Sequence, residues 1–283
     1  MDIAIVGAGT AGTAVGVAWG RAGHRIVAAT GRDATLERVA AWLPETPVRA
    51  ISEAGAIAEV VAIAVPDDAL PTVVTEVANV VTPGAWVLHL SGAQGLDVLA
   101  PIVGAGGRVL ALHPLQTFAD VAGALDALRD CAVAVTAVDT AGFGLGERLA
   151  TDLGGRPFRL PDAARPLYHA AAVFASNDLV AISGAAEALL SIAGVPDALG
   201  AMRPLQETTL ANVHRLGPHA ALTGPIVRGD VGTIDRNLRA VAAAAPHLVA
   251  PYVELSRLAL SLAGDRLPGA GRTAVEKVLA AWS

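Results

Sequence analysis

Cysteine is nearly absent from this sequence of 283 residues. Cys131 stands alone, which rules out an internal disulfide and argues against a cysteine-based metal centre, so no metal is expected. Lysine is just as scarce: Lys277 is the only one, close to the C-terminus and outside every motif. Charged residues make up 16% of the chain, the formal charge is −6, and no cluster of Lys or Arg occurs anywhere. Nucleic-acid binding needs a basic stripe to neutralise phosphates, so that class is excluded. A long unbroken apolar run is also missing from the most apolar late region, Leu238–Gly264, where Pro246, His247, Pro251, Glu254 and Arg257 interrupt it. No membrane span is expected there. The chain opens Met1-Asp2 and runs straight into a strand pattern without the basic start of a secretory signal, so a cytoplasmic location is expected.

What is abundant is small and apolar. Hydrophobic residues reach 53%, with Ala and Val prominent, a composition that suits a parallel sheet flanked by close-packed helices. It also suits a subunit interface, and a homodimer built from the C-terminal helices is expected. Short apolar segments read as buried strands at Ile3–Val6, Arg25–Ala29, Val60–Val65, Trp86–Leu90, Arg108–Leu112 and Ala132–Val138, with a short one near Pro157–Leu160. Stretches of helical length lie among them at Ala11–Ala22, Leu36–Leu43, Leu70–Val80 and Ala141–Leu153. Strands alternating with helices predict an α/β fold with a mostly parallel sheet and ligands at the carboxyl ends of its strands. From Pro161-Asp162 onward the pattern turns helical: one helix over Ala163–Ala193, then others at Pro196–Gly217, Gly229–Ala244, His247–Ala263 and Arg272–Trp282. The expected division is a dinucleotide-binding Rossmann domain over 1–161 and an all-α substrate-binding and dimerisation domain over 162–283.

Gly7-Ala8-Gly9-Thr10-Ala11-Gly12 follows the first strand and opens a helix, the strand–turn–helix setting that a G-x-G-x-x-G motif requires. Gly7 allows the tight turn, Gly9 lets a pyrophosphate approach the backbone, and Gly12 lets helix and strand pack closely. The N–H groups around Thr10 and Ala11 and the positive end of the helix then face the phosphates. At the end of the second strand, where NAD enzymes place an acid to hold the ribose, stand Thr30, Gly31 and Arg32, with no acid before Asp33. A hydroxyl and a guanidinium favour a 2′-phosphate, hence NADP over NAD. Val65 and Pro66 end the third strand and are suited to backbone contacts with the nicotinamide half of the cofactor. Asp67 or Asp68 is suited to capping the next helix.

Further polar groups sit where chemistry is possible. Ser91 and His113 occupy the ends of the strands Trp86–Leu90 and Arg108–Leu112, on the expected ligand rim, and imidazole can donate a proton or bind a carbonyl at neutral pH. On the long helix, His169 and Ser176 fall within about 20° of each other and Asn177 about 80° from His169, at 100° per residue. Buried polar groups there need partners, which a substrate or an interhelical hydrogen bond would supply. In the loop Leu222–Asp230, Thr223 and Arg228 are candidates for an anionic substrate; Asp230 either joins them or caps the following helix.

The glycine motif, Val65-Pro66-Asp67, Leu90-Ser91-Gly92-Ala93, His113-Pro114-Leu115-Gln116-Thr117-Phe118 and Tyr168-His169-Ala170-Ala171-Ala172 together resemble a bacterial family with a Rossmann-like domain and a C-terminal domain of unknown function. That family is related to ketopantoate reductase, pyrroline-5-carboxylate reductase, prephenate dehydrogenase and the β-hydroxyacid dehydrogenases, the 6-phosphogluconate dehydrogenase-like superfamily. The resemblance implies an interdomain active site and an NADPH-dependent reductase of a small 2-keto acid, with 2-dehydropantoate of pantothenate synthesis as substrate. In this reading His169 or His113 donates the proton, Asn177 orients the oxygen, and Gln116, Ser176, Thr223, Arg228 and Asp230 contact the substrate. One departure matters: the better-known relatives carry a lysine on the first long helix of the second domain, where this chain has His169. Prephenate dehydrogenases place a His-Pro at the strand end of His113 and a serine on the strand before, as Ser91 is here. A prephenate-type or imine-type dehydrogenase, and a non-catalytic NADP(H) sensor, are the alternatives.

Overall fold

The computed structural model describes residues 1–32 and 34–282. It divides into two compact units, Met1–Asn177 and Asp178–Ser283. Asp33, the first acid after the second strand, lies outside the described residues.

The first unit holds seven strands: β1 (Asp2–Val6), β2 (Arg25–Thr30), β3 (Val60–Ile63), β4 (Trp86–His89), β5 (Arg108–Pro114), β6 (Ala132–Ala137) and β7 (Arg156–Arg159). They form one sheet in the order β2-β1-β3-β4-β5-β6-β7. Every neighbouring pair is parallel except β5 with β6. The continuous apolar runs follow from burial on both faces, because successive side chains point to opposite sides of a strand. Ile3 and Ile5 enter the core on one face and Ala4 and Val6 the core on the other; Val60 and Ala62 separate from Val61 and Ile63 in the same way. All seven expected strands are present, with ends moved by a residue or two.

The helices of this unit are α1 (Thr10–Arg21), α2 (Ala34–Trp42), α3 (Ile51–Ile57), α4 (Leu70–Ala78), α5 (Ala100–Gly104), α6 (Val121–Ala127), α7 (Thr140–Asp152) and α8 (Arg165–Ala175). Asp120 and Asp139 cap α6 and α7 by accepting from the Gly123 and Gly142 N–H groups at 2.8 and 2.7 Å. The expected cap on α4 is not made: its N-terminal position is Ala69, without a side-chain bond, so neither Asp67 nor Asp68 plays that part. Helices α3, α5 and α6 were not expected, being too short to show a period.

The helix read as continuous over Ala163–Ala193 is two. Ser176 leaves helical geometry (φ −125°, ψ −71°) between α8 and α9 (Asn177–Ile192). The packing boundary therefore falls after α8, beyond the change of pattern at Pro161. The kinked stretch Asp162–Ile192 is 31 residues long and apolar enough, at a mean hydropathy of 1.3, to cross a membrane by length and composition, and none of that apolar window is buried. Its first part is fastened to the sheet unit by the buried Arg165, described below.

The second unit continues with α10 (Ala198–Leu216), α11 (Pro218–Ala221), α12 (Pro225–Arg228), α13 (Val231–Ala244), α14 (Val249–Ala263) and α15 (Gly269–Ala280), and has no strand among the described residues. Its core joins Ile226, Ile234, Leu238, Val253, Leu260, Val275 and Leu279.

Candidate functional site

Strands β1, β3, β4 and β5 are consecutive and parallel, so the turns after Val6, Ile63 and His89 and the end of β5 share one edge of the sheet. Three interstrand steps of about 4.8 Å put the glycine turn and His113 about 14 Å apart across that edge. This is where ligands bind in open α/β sheets. A second cavity, of about 540 Å³, opens at the opposite edge beside Trp86 and Arg108. There Arg108 already stacks on Trp86 at 3.9 Å and pairs with Asp139 at 3.6 Å.

The glycine turn has the form its spacing requires. Gly7 has φ +95°, and a Cβ there would meet Val65 Cγ1 at 2.6 Å. A Cβ on Gly12 would lie 2.4 Å from the Gly7 carbonyl oxygen, while Gly9 faces open space. Gly9 offers α1 no side-chain cap, so the first-turn N–H groups from Thr10 and Ala11 onward are left for an anion. Thr30, expected to contact cofactor, also supports the turn. Its carbonyl accepts from Gly7 and Ala8 N–H at 3.2 and 2.7 Å, its hydroxyl oxygen lies 3.3 Å from the Gly7 nitrogen, and the residue is buried.

Beside this turn lies a cleft of about 500 Å³, lined by Gly7–Gly9, Thr30–Arg32, Val65 and Pro66. Arg32, Arg38 and Arg49 line it and, among the described residues, no acid does. Arg38 and Arg49 were missed in the sequence. Arg38 projects from α2 and its Nη1 donates to the Ala8 carbonyl at 3.1 Å. Arg49 arrives through an extended segment that pairs with β2, Val48 bridging Ala29 and the Arg49 N–H donating to the Ala29 carbonyl at 2.9 Å. Nothing local in the sequence marks either contact.

At the other end of the edge, three segments meet at Gly92. A Cβ added to Gly92 would lie 2.8 Å from His113 Nε2 and 2.8 Å from His169 Nδ1. The two imidazole rings are 6.4 Å apart, centre to centre, and inclined at 81°. His113 Nδ1 lies 2.7 Å from the Tyr168 hydroxyl. His169 Nδ1 is buried without a hydrogen-bond partner among the described residues.

Arg165, at the start of α8, holds the loop that carries Gly92. It is fully buried, and its guanidinium donates to the Ser91 and Gln94 carbonyls and, at 3.0 Å, to Thr136 Oγ1. Asp162 adds a further tie, accepting from the Leu96 N–H at 2.9 Å. Burial, with Arg165 and then His169 as nearby positive charges, pushes the His113 pKa down to about 4, so the ring is neutral near pH 7. His89, buried beneath the same loop with Nε2 3.2 Å from the Gly95 carbonyl oxygen, is pushed down to about 3, chiefly by burial and then by Arg165. Burial raises the Tyr168 phenol to about 12. Sequence reasoning missed Arg165; an arginine at a helix start carries no signal that its head group is buried.

The remaining expected residues divide. Ser91 Oγ accepts from the Ala93 and Gln94 N–H groups at 3.2 and 3.0 Å, closing the turn. Gln116 is exposed and spends its amide on the Ala127 carbonyl and the Thr117 N–H. The 100° arithmetic linking His169 to Ser176 and Asn177 fails at the helix break, and Asn177 is exposed on the first turn of α9. In the second unit Thr223 and Arg228 are exposed, and Asp230 caps α13 through the Thr233 N–H and hydroxyl at 3.0 and 2.8 Å.

Two family models match: a Rossmann-like domain over residues 1–114 and a domain of unknown function (DUF2520) over residues 131–259. No curated protein matches the sequence significantly. Among solved structures, the chain is similar to a candidate NADP oxidoreductase from Bacteroides fragilis, with 25% identity over 92% of this chain and 98% of the other and a TM-score of 0.80. It is similar in fold to a protein from Thermotoga maritima (22% identity, 92% and 98% covered, TM-score 0.70). An imine reductase from Myxococcus stipitatus, crystallised with NADP+, has the same overall fold (14% identity, 96% and 99% covered, TM-score 0.69). The expected fold, a Rossmann-like domain followed by a helical region, is therefore established.

Proposed function

We propose that the protein is an NADP(H)-dependent oxidoreductase acting on a small 2-keto acid, with 2-dehydropantoate the first substrate to test. One observation carries the reading: a single sheet edge holds an arginine-lined cleft at the glycine turn and, at its other end, two histidines that converge on one glycine. The resemblance to the candidate NADP oxidoreductase of Bacteroides fragilis supports the cofactor. The turn and the start of α1 hold the pyrophosphate, and Arg32, Arg38 and Arg49 suit a 2′-phosphate. NADPH supplies the hydride when bound. Neutral His113 hydrogen-bonds the substrate oxygen and His169 delivers the proton. Lysine acid catalysis has no part in this reading, since the only lysine, Lys277, lies outside every motif.

The test is NADPH oxidation measured against a panel of 2-keto acids and cyclic imines, after fluorescence titration of both cofactors. The expected result is NADPH binding at least about tenfold tighter than NADH, turnover of a keto acid, and a kcat loss of about 10²–10⁴-fold in His169→Gln. Turnover of imines alone moves the reading to an imine-type enzyme on the same fold. Binding without turnover of either class makes it a nucleotide sensor.

The same reading includes self-association. Helix α9 has no buried residue, and in sixteen residues its only charges are Asp178 and Glu187. Val180, Ile182 and Ile192 are exposed on it. A second copy of the chain would cover that face, and light scattering at micromolar concentration is expected to give a dimer; a clean monomer overturns this part.

A further inference from the structure

His113 can hold its single neutral-state proton on either ring nitrogen, and the choice decides what it offers a ligand. With the proton on Nε2, the ring donates toward Gly92 and the buried face of His169. With the proton on Nδ1, the same edge only accepts. Three observations bear on the choice. The Tyr168 hydroxyl lies 2.7 Å from Nδ1, with the two rings perpendicular and 5.5 Å apart. Among the described residues, Nδ1 is the one hydrogen-bond partner of that hydroxyl. The opposite nitrogen, Nε2, faces Gly92, whose loop Arg165 fixes from below.

A phenol that donates to Nδ1 satisfies its own proton and leaves the imidazole proton on Nε2. The reverse arrangement leaves the half-buried phenol proton without a protein acceptor among the described residues, so the donating arrangement is favoured. We propose that Tyr168 is the positioning residue of His113: its hydroxyl donates to Nδ1 and so presents Nε2–H, beside Gly92, as a fixed hydrogen-bond donor for a carbonyl or imine acceptor. The groups facing the pair are consistent with this. Tyr168 remains a phenol and His113 a neutral ring across the physiological range, since burial moves the one up and the other down. His169 Nδ1 lies equally close to the Gly92 Cβ position, at 2.8 Å, and is buried without a hydrogen-bond partner among the described residues. Tyr168 also packs edge-on against Phe158 with ring centres 6.0 Å apart, so the ring is held by packing as well as by its hydroxyl.

The use of Nε2–H on a substrate rests on the reductase reading; the tautomer does not, and it can be read on the full-length protein without cofactor or substrate. Proton–nitrogen correlation spectra of 15N-histidine protein near neutral pH, with His113 assigned by its loss in His113→Gln, report which nitrogen is protonated. The expected pattern for wild type is a bare Nδ1 and a protonated Nε2. In Tyr168→Phe, which keeps the ring and its contact with Phe158, the two nitrogen signals are expected to move toward each other as the tautomers mix. A protonated Nδ1 in wild type, or an unchanged spectrum in Tyr168→Phe, overturns the proposal. Absence of turnover on every keto acid tested would sink the reductase reading and leave this result standing.

Discussion

The turn at Gly12 and the loop at Gly92 are both places where a side chain will not fit, yet they are built differently. At Gly12 the obstacle is backbone: the Gly7 carbonyl oxygen stands 2.4 Å from where a Cβ would go, and Gly7 belongs to the same short motif. At Gly92 the obstacles are the nitrogens of two imidazoles that arrive from β5 and α8. A backbone oxygen in a tight turn cannot retreat, whereas a ring can rotate. The first site is thus rigid and local; the second depends on the alignment of parts distant in sequence.

That contrast predicts different failures. Gly12→Ala is expected to have the largest effect: loss of about 1–3 kcal/mol of stability from overpacking and at least about a hundredfold loss of NADPH affinity. Thermal unfolding and fluorescence titration measure both. Wild-type affinity in this variant would mean that the turn can relax, and the distinction between the two glycines would collapse.

Gly92→Ala comes next. Displacing both imidazoles by a few tenths of an ångström or more is expected to lower kcat about 10- to 100-fold while NADPH affinity stays within about twofold. Steady-state kinetics on the best substrate, with a parallel cofactor titration, separate the two quantities. Equal losses in both would show that the ends of the sheet edge are not independent.

The same contrast explains what was legible in the sequence. Strands β1 to β6 could be read because burial makes each a short, mainly apolar run, and the glycine turn because its determinants lie within six residues; β7, an edge strand, is mostly exposed. His113 and His169 could be picked out one at a time, from a strand end and from a polar interruption of an Ala-rich helix. Their meeting at Gly92 could not, because it depends on how α8 packs on the sheet, and that packing is set by Arg165, whose three hydrogen bonds reach Ser91, Gln94 and Thr136. The angle computed between His169 and Asn177 failed for a related reason: helical arithmetic assumes a continuous helix, and the chain breaks at Ser176. Arg49 reaches the cleft beside the glycine turn only because its segment pairs with β2, a long-range contact without a local pattern.

Acid should weaken the histidine end selectively. His113 and His89 have native pKa values lowered to about 4 and about 3 from an ordinary 6.5. Between those values the unfolded chain binds more protons than the native state, so stability rises with pH across that window. The contribution is fully present above about pH 6.5 and is lost as the pH falls toward the native values. At 1.36 kcal/mol per pK unit, His113 alone accounts for a loss of about 3 kcal/mol. Urea unfolding of wild type and His113→Gln at about pH 7.5 and about pH 5 tests this, the variant being expected to show the flatter dependence. Identical slopes would mean that His113 is solvated in the native state.

The smallest expected effect is at Arg38, and it asks which role that residue has. Its guanidinium lines the cleft and also donates to the Ala8 carbonyl at 3.1 Å, so it can act on a 2′-phosphate directly or merely brace the turn. A direct role changes the difference between the two cofactors, because only NADPH carries that phosphate. A bracing role weakens both alike, because both share the pyrophosphate held by the turn. With Arg32 and Arg49 still in place, Arg38→Ala is expected to lower NADPH affinity about tenfold, or about 1.4 kcal/mol, and to leave NADH affinity within about twofold. Added salt should shrink the gap between wild type and variant for NADPH, since the contact is partly exposed and screened. Parallel losses for NADPH and NADH would make Arg38 part of the turn and leave cofactor choice to Arg32 and Arg49.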